Sequence, residues 1–179
     1  MRITVFFIAF LLVALISGCV FRENGLSQIE VEKSVSLDHA ITEYLENNII
    51  PIPPPTGVKT FAAFDLLGLF ENGNGKTAYL LADIRTYGVD PAIGVGPRSA
   101  SFVPLELTLK EENNGFTVIG HRQPGDGSNY WPDIKRIFPE EHHDTILNYH
   151  KTGRGREMER AIREKVNIYL KSVGIDSTV

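Results

Sequence analysis

Thr60-Phe61-Ala62-Ala63-Phe64-Asp65-Leu66-Leu67-Gly68-Leu69-Phe70-Glu71, then Asn72-Gly73-Asn74-Gly75, then Lys76-Thr77-Ala78-Tyr79-Leu80-Leu81-Ala82-Asp83-Ile84-Arg85-Thr86-Tyr87-Gly88-Val89 is the stretch that decides the fold. Two runs rich in Phe, Leu, Tyr and Ile flank residues able to take the positive φ angles of a hairpin turn, which predicts two antiparallel paired strands. Both faces of these strands are largely apolar. They are therefore central strands, covered by helix on one side and by something else, or nothing, on the other.

Working outward, the glycine-rich segment from Asp90 to Arg98 interrupts the pattern. From Phe102 to Glu111 the chain alternates, with Val103, Leu105, Leu107 and Leu109 inward and Glu106, Thr108 and Lys110 outward. Asn113-Asn114-Gly115 turns it into Phe116–Gln123, a second hairpin and a four-stranded meander. After the turn Pro124-Gly125-Asp126-Gly127 the period changes to about 3.6. Ile134, Ile137 and Phe138 mark a short helix, Pro139 opens another that buries Ile146 and Tyr149, and Arg156–Val173 is a third with Met158, Ile162, Val166, Tyr169 and Val173 on one face. Upstream, Ser36 caps a helix with Leu37, Ile41, Tyr44, Leu45 and Asn48 on one stripe, ended by the run Pro51-Ile52-Pro53-Pro54-Pro55. The order of one helix, four strands and three helices predicts an α+β class: a four-stranded antiparallel meander packed by an N-terminal helix and C-terminal helices. A cystatin-like or NTF2-like sheet is compatible with that order.

The 179 residues include 42% hydrophobic and 22% charged side chains, a balance that excludes collagen, disulfide scaffolds and polytopic membrane proteins. Met1-Arg2 is a short positive end. Ile3–Ile16 is a run of 14 residues with Thr4 as its one polar member, and Ser17-Gly18 are small residues suited to cleavage. Cys19, the chain's single cysteine, follows directly. The stretch resembles the bacterial lipobox, which implies that residues 1–18 are a signal peptide and that Cys19 receives a diacylglycerol and becomes the first mature residue. The alternative is an uncleaved membrane helix, since Ile3–Phe21 is an uncharged stretch of 19 residues. Either reading tethers the domain at the cell membrane on its extracytoplasmic side, with 19–34 a flexible stalk and 35–179 a single domain. The mature charge is −5, and no internal disulfide can form.

Pro124-Gly125-Asp126-Gly127-Ser128-Asn129-Tyr130, followed by Ile134-Lys135-Arg136-Ile137-Phe138-Pro139, resembles a P-x-D-G-x-x-Y-x(3)-I-K-x-x-F-P pattern. That pattern is associated with small lipidated proteins of Gram-positive bacteria and with the extracytoplasmic part of BlaR-type membrane metallopeptidases. The resemblance implies a cell-surface sensor or binding module and carries no catalytic residues. The H-E-x-x-H motif of those peptidases does not occur in this chain.

Candidate ligand contacts are Asp126, Ser128, Tyr130 and Trp131, where an aromatic pair beside a turn suits sugar or peptide stacking. Asp83 and Arg85 are candidates because ionised groups in apolar strands must be paired or sit at a rim. In Glu140-Glu141-His142-His143-Asp144 the adjacent imidazoles point about 100° apart on a helix, so no metal is expected, and no other cofactor is either. His142 belongs near the buried stripe and His143 faces water. Lys151–Lys171 carries a net charge of +4 against −9 for the rest of the mature chain, a solvated face that suits anionic lipid or wall polymer. Nucleic acid is excluded as a partner of an acidic extracytoplasmic protein. The expected function is a membrane-anchored, non-catalytic binding or sensory module whose partner is a cell-wall component or envelope protein. The alternatives are a small enzyme using Asp65, Asp83 or His121 on an open sheet face, and a purely structural envelope protein.

Overall fold

At the decisive turn Asn72 pairs with Gly75 and Gly73 sits at a φ of 59°. A Cβ on Gly75 would lie 2.1 Å from the Leu109 carbonyl oxygen, so no larger residue fits there. The computed structural model describes residues 37–50, 56–73, 75–90, 94–112, 115–176 and 179. The leader 1–18, Cys19, the stalk 19–34, Ser36 and the proline run at 51–55 lie outside the described residues.

Strands β1 (Val58–Asn72), β2 (Gly75–Asp90), β3 (Gly94–Glu112) and β4 (Gly115–Arg122) pair antiparallel in the order β1-β2-β3-β4. Helix α1 (37–48) precedes the sheet, and α2 (Tyr130–Ile137), α3 (Glu140–Asn148) and α4 (Arg154–Ser172) follow it. The fold is α+β, a meander with the helices placed as the sequence pattern predicts. Three details differ from that pattern. The strand predicted to begin at Phe102 begins at Gly94, because Gly94, Val95 and Gly96 find partners in Asp90, Val89 and Gly88 and the hairpin zips past its glycines. Glu106, expected outward, is 6% exposed, since the face it points to is also covered. The buried stripe of α4 ends on Leu170, whereas Val173 is 46% exposed, because the helix stops at Ser172 and the chain turns away.

Helices cover both faces of the sheet, which explains why β2 reads as apolar on both sides. Its residues Ala78, Leu80, Ala82 and Ile84 pack with Leu105 and Leu107 of β3 against Leu37, Ile41 and Leu45 of α1. The alternate residues Leu81 and Tyr87 join Phe61, with Ile134 and Ile137 of α2 and Ile162, Val166 and Leu170 of α4, in a second core. A period of two therefore loads two cores from one strand, and each fully buried Leu or Ile contributes about 1.5–3 kcal/mol of transfer free energy.

Strand β2 is central as expected, but β1, expected to be central too, is an edge whose apolar side chains are covered by the helices rather than flanked by another strand, and an edge exposes backbone groups that could pair with another chain. At Ala62 side chains from both helical layers occupy those groups. The Ala62 N–H donates to Glu46 Oε1 at 3.1 Å, and Lys165 Nζ donates to the Ala62 carbonyl at 2.6 Å. Burial of the Lys165 ammonium lowers its pKa, partly offset by Glu46, whose carboxylate lies 3.8 Å away.

Because the two cores share β2, they are expected to unfold together. Ile41→Ala and Ile162→Ala, one in each core, should each destabilise by about 2–5 kcal/mol in urea denaturation, with a single coincident transition by fluorescence and circular dichroism. A loss below about 1 kcal/mol from either variant, or two separated transitions, contradicts the shared-strand account.

Candidate functional site

Asp83, in the middle of β2, is 5% exposed among apolar neighbours, a position tolerable for a carboxylate only with a full set of donors. Arg85, two residues along the same face, supplies them. Its Nε donates to Asp83 Oδ1 at 3.0 Å and to Oδ2 at 3.1 Å, and its Nη2 donates to Oδ2 at 2.8 Å. The hydrogen bond to Asp83 raises the Arg85 pKa further above its already high ordinary value. Arg85 Nη1 also lies 3.5 Å from Glu159 of α4, which accepts a hydrogen bond from Arg163.

This pair floors a cleft of about 370 Å³ between the sheet and the start of α4. Asp83 and Arg85 stand opposite Phe102 and Ala100 of β3, which line one wall. His150, Gly153, Gly155, Arg156 and Glu159 line the other. The Phe102 ring is 48% exposed and lies 5.1 Å from the buried Tyr149 ring. Beyond Tyr149 is a smaller hollow of about 250 Å³, where Arg154 Nη1 donates to Asp65 Oδ2 at 2.8 Å. The Tyr149 hydroxyl is buried beside the Asp65 carboxylate, and burial first, then that carboxylate, pushes its pKa up to about 12.

The sequence-stretch candidates separate into distinct places. Asp83 and Arg85 are brought together in the cleft; Asp65 is turned to Arg154; His121 lies on the α1 side of the sheet, its Nδ1 2.8 Å from the Tyr44 hydroxyl. Asp126, Ser128, Tyr130 and Trp131 are not among the cleft's lining residues. Asp126 and Ser128 are exposed at a 3₁₀ turn, Gly127–Asn129, and Tyr130 is 38% exposed. Trp131 is half-buried, with the His143 ring 5.8 Å away and Lys135 Nζ 6.0 Å from its centroid. The turn is pinned by Asp133, whose Oδ2 accepts from the Gly125 N–H at 2.9 Å and whose Oδ1 accepts from Arg136 at 2.8 Å. Arg136 and that amide hold the Asp133 carboxyl below the usual carboxylate range.

Several polar side chains, in the cleft and away from it, take positions that local sequence does not signal. Glu106 is buried and paired with Arg122 of β4, a contact that only the strand register reveals. His150 and the α4 start reach the cleft because the chain folds back after α3. His142 is buried as expected, between the rings of Phe70 at 6.1 Å and Tyr79 at 5.7 Å. His143, expected in water, is half-buried, and its Nε2 lies 2.9 Å from the Phe138 carbonyl, because α2 and Trp131 close over it. Among the described residues no three His, Cys, Asp or Glu side chains are grouped to hold a metal ion, and no helix is long and apolar enough to cross a membrane.

Compared with known proteins, the chain matches no family model, no curated protein and no solved structure.

The His142 environment generates a pH dependence of stability. Its Nε2 is buried without a partner, and burial lowers its pKa from the ordinary 6.5, with His143 adding to the shift and Glu141 opposing it. Below pH 6.5 the unfolded chain takes up a proton that the folded chain resists, so this contribution is complete above that pH and is lost as pH falls, by at most about 1.4 kcal/mol per unit. His142→Leu should flatten the decline in urea-derived stability between pH 7 and 5. An unchanged decline in the variant contradicts this assignment.

Proposed function

We propose that this protein is a membrane-anchored lipoprotein, tethered through lipid on Cys19, whose α+β domain is a non-catalytic binding or sensory module at the cell envelope. The observation that carries the binding reading is the cleft over Asp83 and Arg85, a concave site with charged and aromatic walls. Its most buried carboxylate accepts three hydrogen bonds from Arg85. A group committed in this way orients its neighbours. The anchoring reading is supported by the lipobox-like Ile16-Ser17-Gly18-Cys19 after an apolar run. Two acyl chains would hold the domain firmly at the membrane surface, at about 0.8 kcal/mol per buried methylene.

Two measurements test the two halves. Mass spectrometry of the protein from its native membrane should find a mature chain beginning at diacylated Cys19, and Cys19→Ser should leave the leader attached. An intact Met1 with an unmodified thiol overturns the anchoring. Thermal-shift screening of the full chain in detergent against wall fragments, antibiotics, peptides and metal salts should give a saturable ligand without turnover. At 100 times its Kd such a ligand adds about 2.7 kcal/mol of stability. Consumption of any of these compounds, abolished by Asp83→Asn, would establish the enzyme reading instead.

A further inference from the structure

His142 places an imidazole in an aromatic box. It stands in the first turn of α3, 8% exposed, with the Phe70 and Tyr79 rings against it and the Phe138 ring 5.6 Å beyond Tyr79. Its Nε2 points at the backbone of β1, where a Cβ on Gly68 would lie 3.0 Å from that nitrogen and 2.6 Å from the Phe70 ring. Gly68 is therefore glycine because this close approach leaves no room for a side chain. The nitrogen it faces is sealed from solvent and has no hydrogen-bond partner.

The groups facing the box give a proton on that nitrogen little support. From β2 the Tyr79 hydroxyl is engaged with Glu106 of β3, and that carboxylate is already committed to Arg122 of β4, whose Nε donates to Oε1 at 2.7 Å. From β1 and the end of α2 come the Gly68 backbone and the rings of Phe70 and Phe138. On α3 itself Glu141 favours a cation, whereas His143 and the partial positive charge of the helix start oppose it. A leucine would fill the box without stranding a nitrogen, so histidine costs stability here and introduces a group that changes charge in mild acid. The helix that carries it is lightly held. His142 and Ile146 are the two buried residues of α3, no side chain caps its start, and Leu147 is 54% exposed. The chain on either side is fixed by the buried Phe138 and Tyr149.

We propose that α3 is an acid-released latch: a proton from solvent adds to the His142 imidazole, which leaves its box, and the first half of α3 lifts off the sheet between Phe138 and Tyr149, uncovering the aromatic surface of Phe70, Tyr79 and Phe138. This goes beyond the binding-module reading and does not depend on it. The floor of the box stays in place, because Tyr79 remains tied through Glu106 to β3 and β4. Opening is confined to the short element with the fewest buried anchors, as local unfolding generally is.

Hydrogen exchange of the full chain in detergent, read by mass spectrometry between pH 7 and 5 and expressed as protection relative to the intrinsic rate at each pH, tests the latch. Protection across Glu140–Asn148 should be lower than that of β2 and α4 at every pH. Below pH 6.5 it should fall by up to about tenfold per unit, the limit for uptake of one proton. Fluorescence of anilinonaphthalene sulfonate, which reports exposed apolar surface, should rise over the same range while circular dichroism shows the sheet retained. His142→Leu should remove both responses, and His142→Gln, which is polar but does not titrate, provides the same test should the leucine variant not fold. His143→Gln should keep the pH slope. Equal protection of α3 and β2 at every pH would mean that the domain opens only as a whole. A slope that survives in the His142 variants would place the proton elsewhere, and protection that rises in acid would mean that the aromatic box holds the cation. Each of these results overturns the latch.

Discussion

A carboxylate at the centre of a sheet covered on both faces must be satisfied where it stands, and in this protein the Asp83–Arg85 pair meets that requirement. Two residues apart on one strand, the side chains share a face, so the pair forms within β2 and needs no tertiary search. Its consequences reach further. Arg85 extends to Glu159 and ties the central strand to α4, and α4 in turn sends Lys165 to the edge strand at Ala62, where Glu46 of α1 arrives from the opposite face. One buried charge thus stands at the root of a polar chain linking all three layers around two apolar cores.

The same pair separates structure from recognition in the cleft. Charges that are mutually satisfied at its base shape the hollow and leave little for a ligand to exploit. Above them, at the start of α4, the Thr152 hydroxyl oxygen accepts from the Arg154 N–H at 3.3 Å and the Arg156 side chain is exposed. Along α4 the acid–base pair Glu159–Arg163 and the buried stripe Met158, Ile162, Val166 and Leu170 follow the local rules of helix building.

Much of the fold was legible in the residues because periodicity is a local signal. The Asn-Gly turn, the alternation through Leu105, Leu107 and Leu109, and the change to helical spacing after Pro124 place the strands and the C-terminal α-helices within a few residues, apart from the start of β3. There, glycine composition argued for a loop, and the partner strand overrode it by offering Gly88 and Val89 as pairing positions. The site was half legible. Asp83 and Arg85 stood out as charges in apolar strands, whereas His150, Gly153 and Arg156 are unremarkable in sequence and become neighbours of Phe102 only through the return of the chain across the sheet. Trp131 shows the opposite error: an aromatic beside a turn suggests a platform, but packing against His143 half-buries it.

The most direct test of this account is a double-mutant cycle on Asp83→Ala and Arg85→Ala, with stabilities from urea denaturation. If the pair is the satisfied centre of the sheet, Arg85→Ala strands the buried Asp83 carboxylate, the double variant is less destabilised than the sum of the two, and the coupling is about 1–3 kcal/mol. Additive losses would show that Asp83 and Arg85 are held in place independently, and the account built on them would fail.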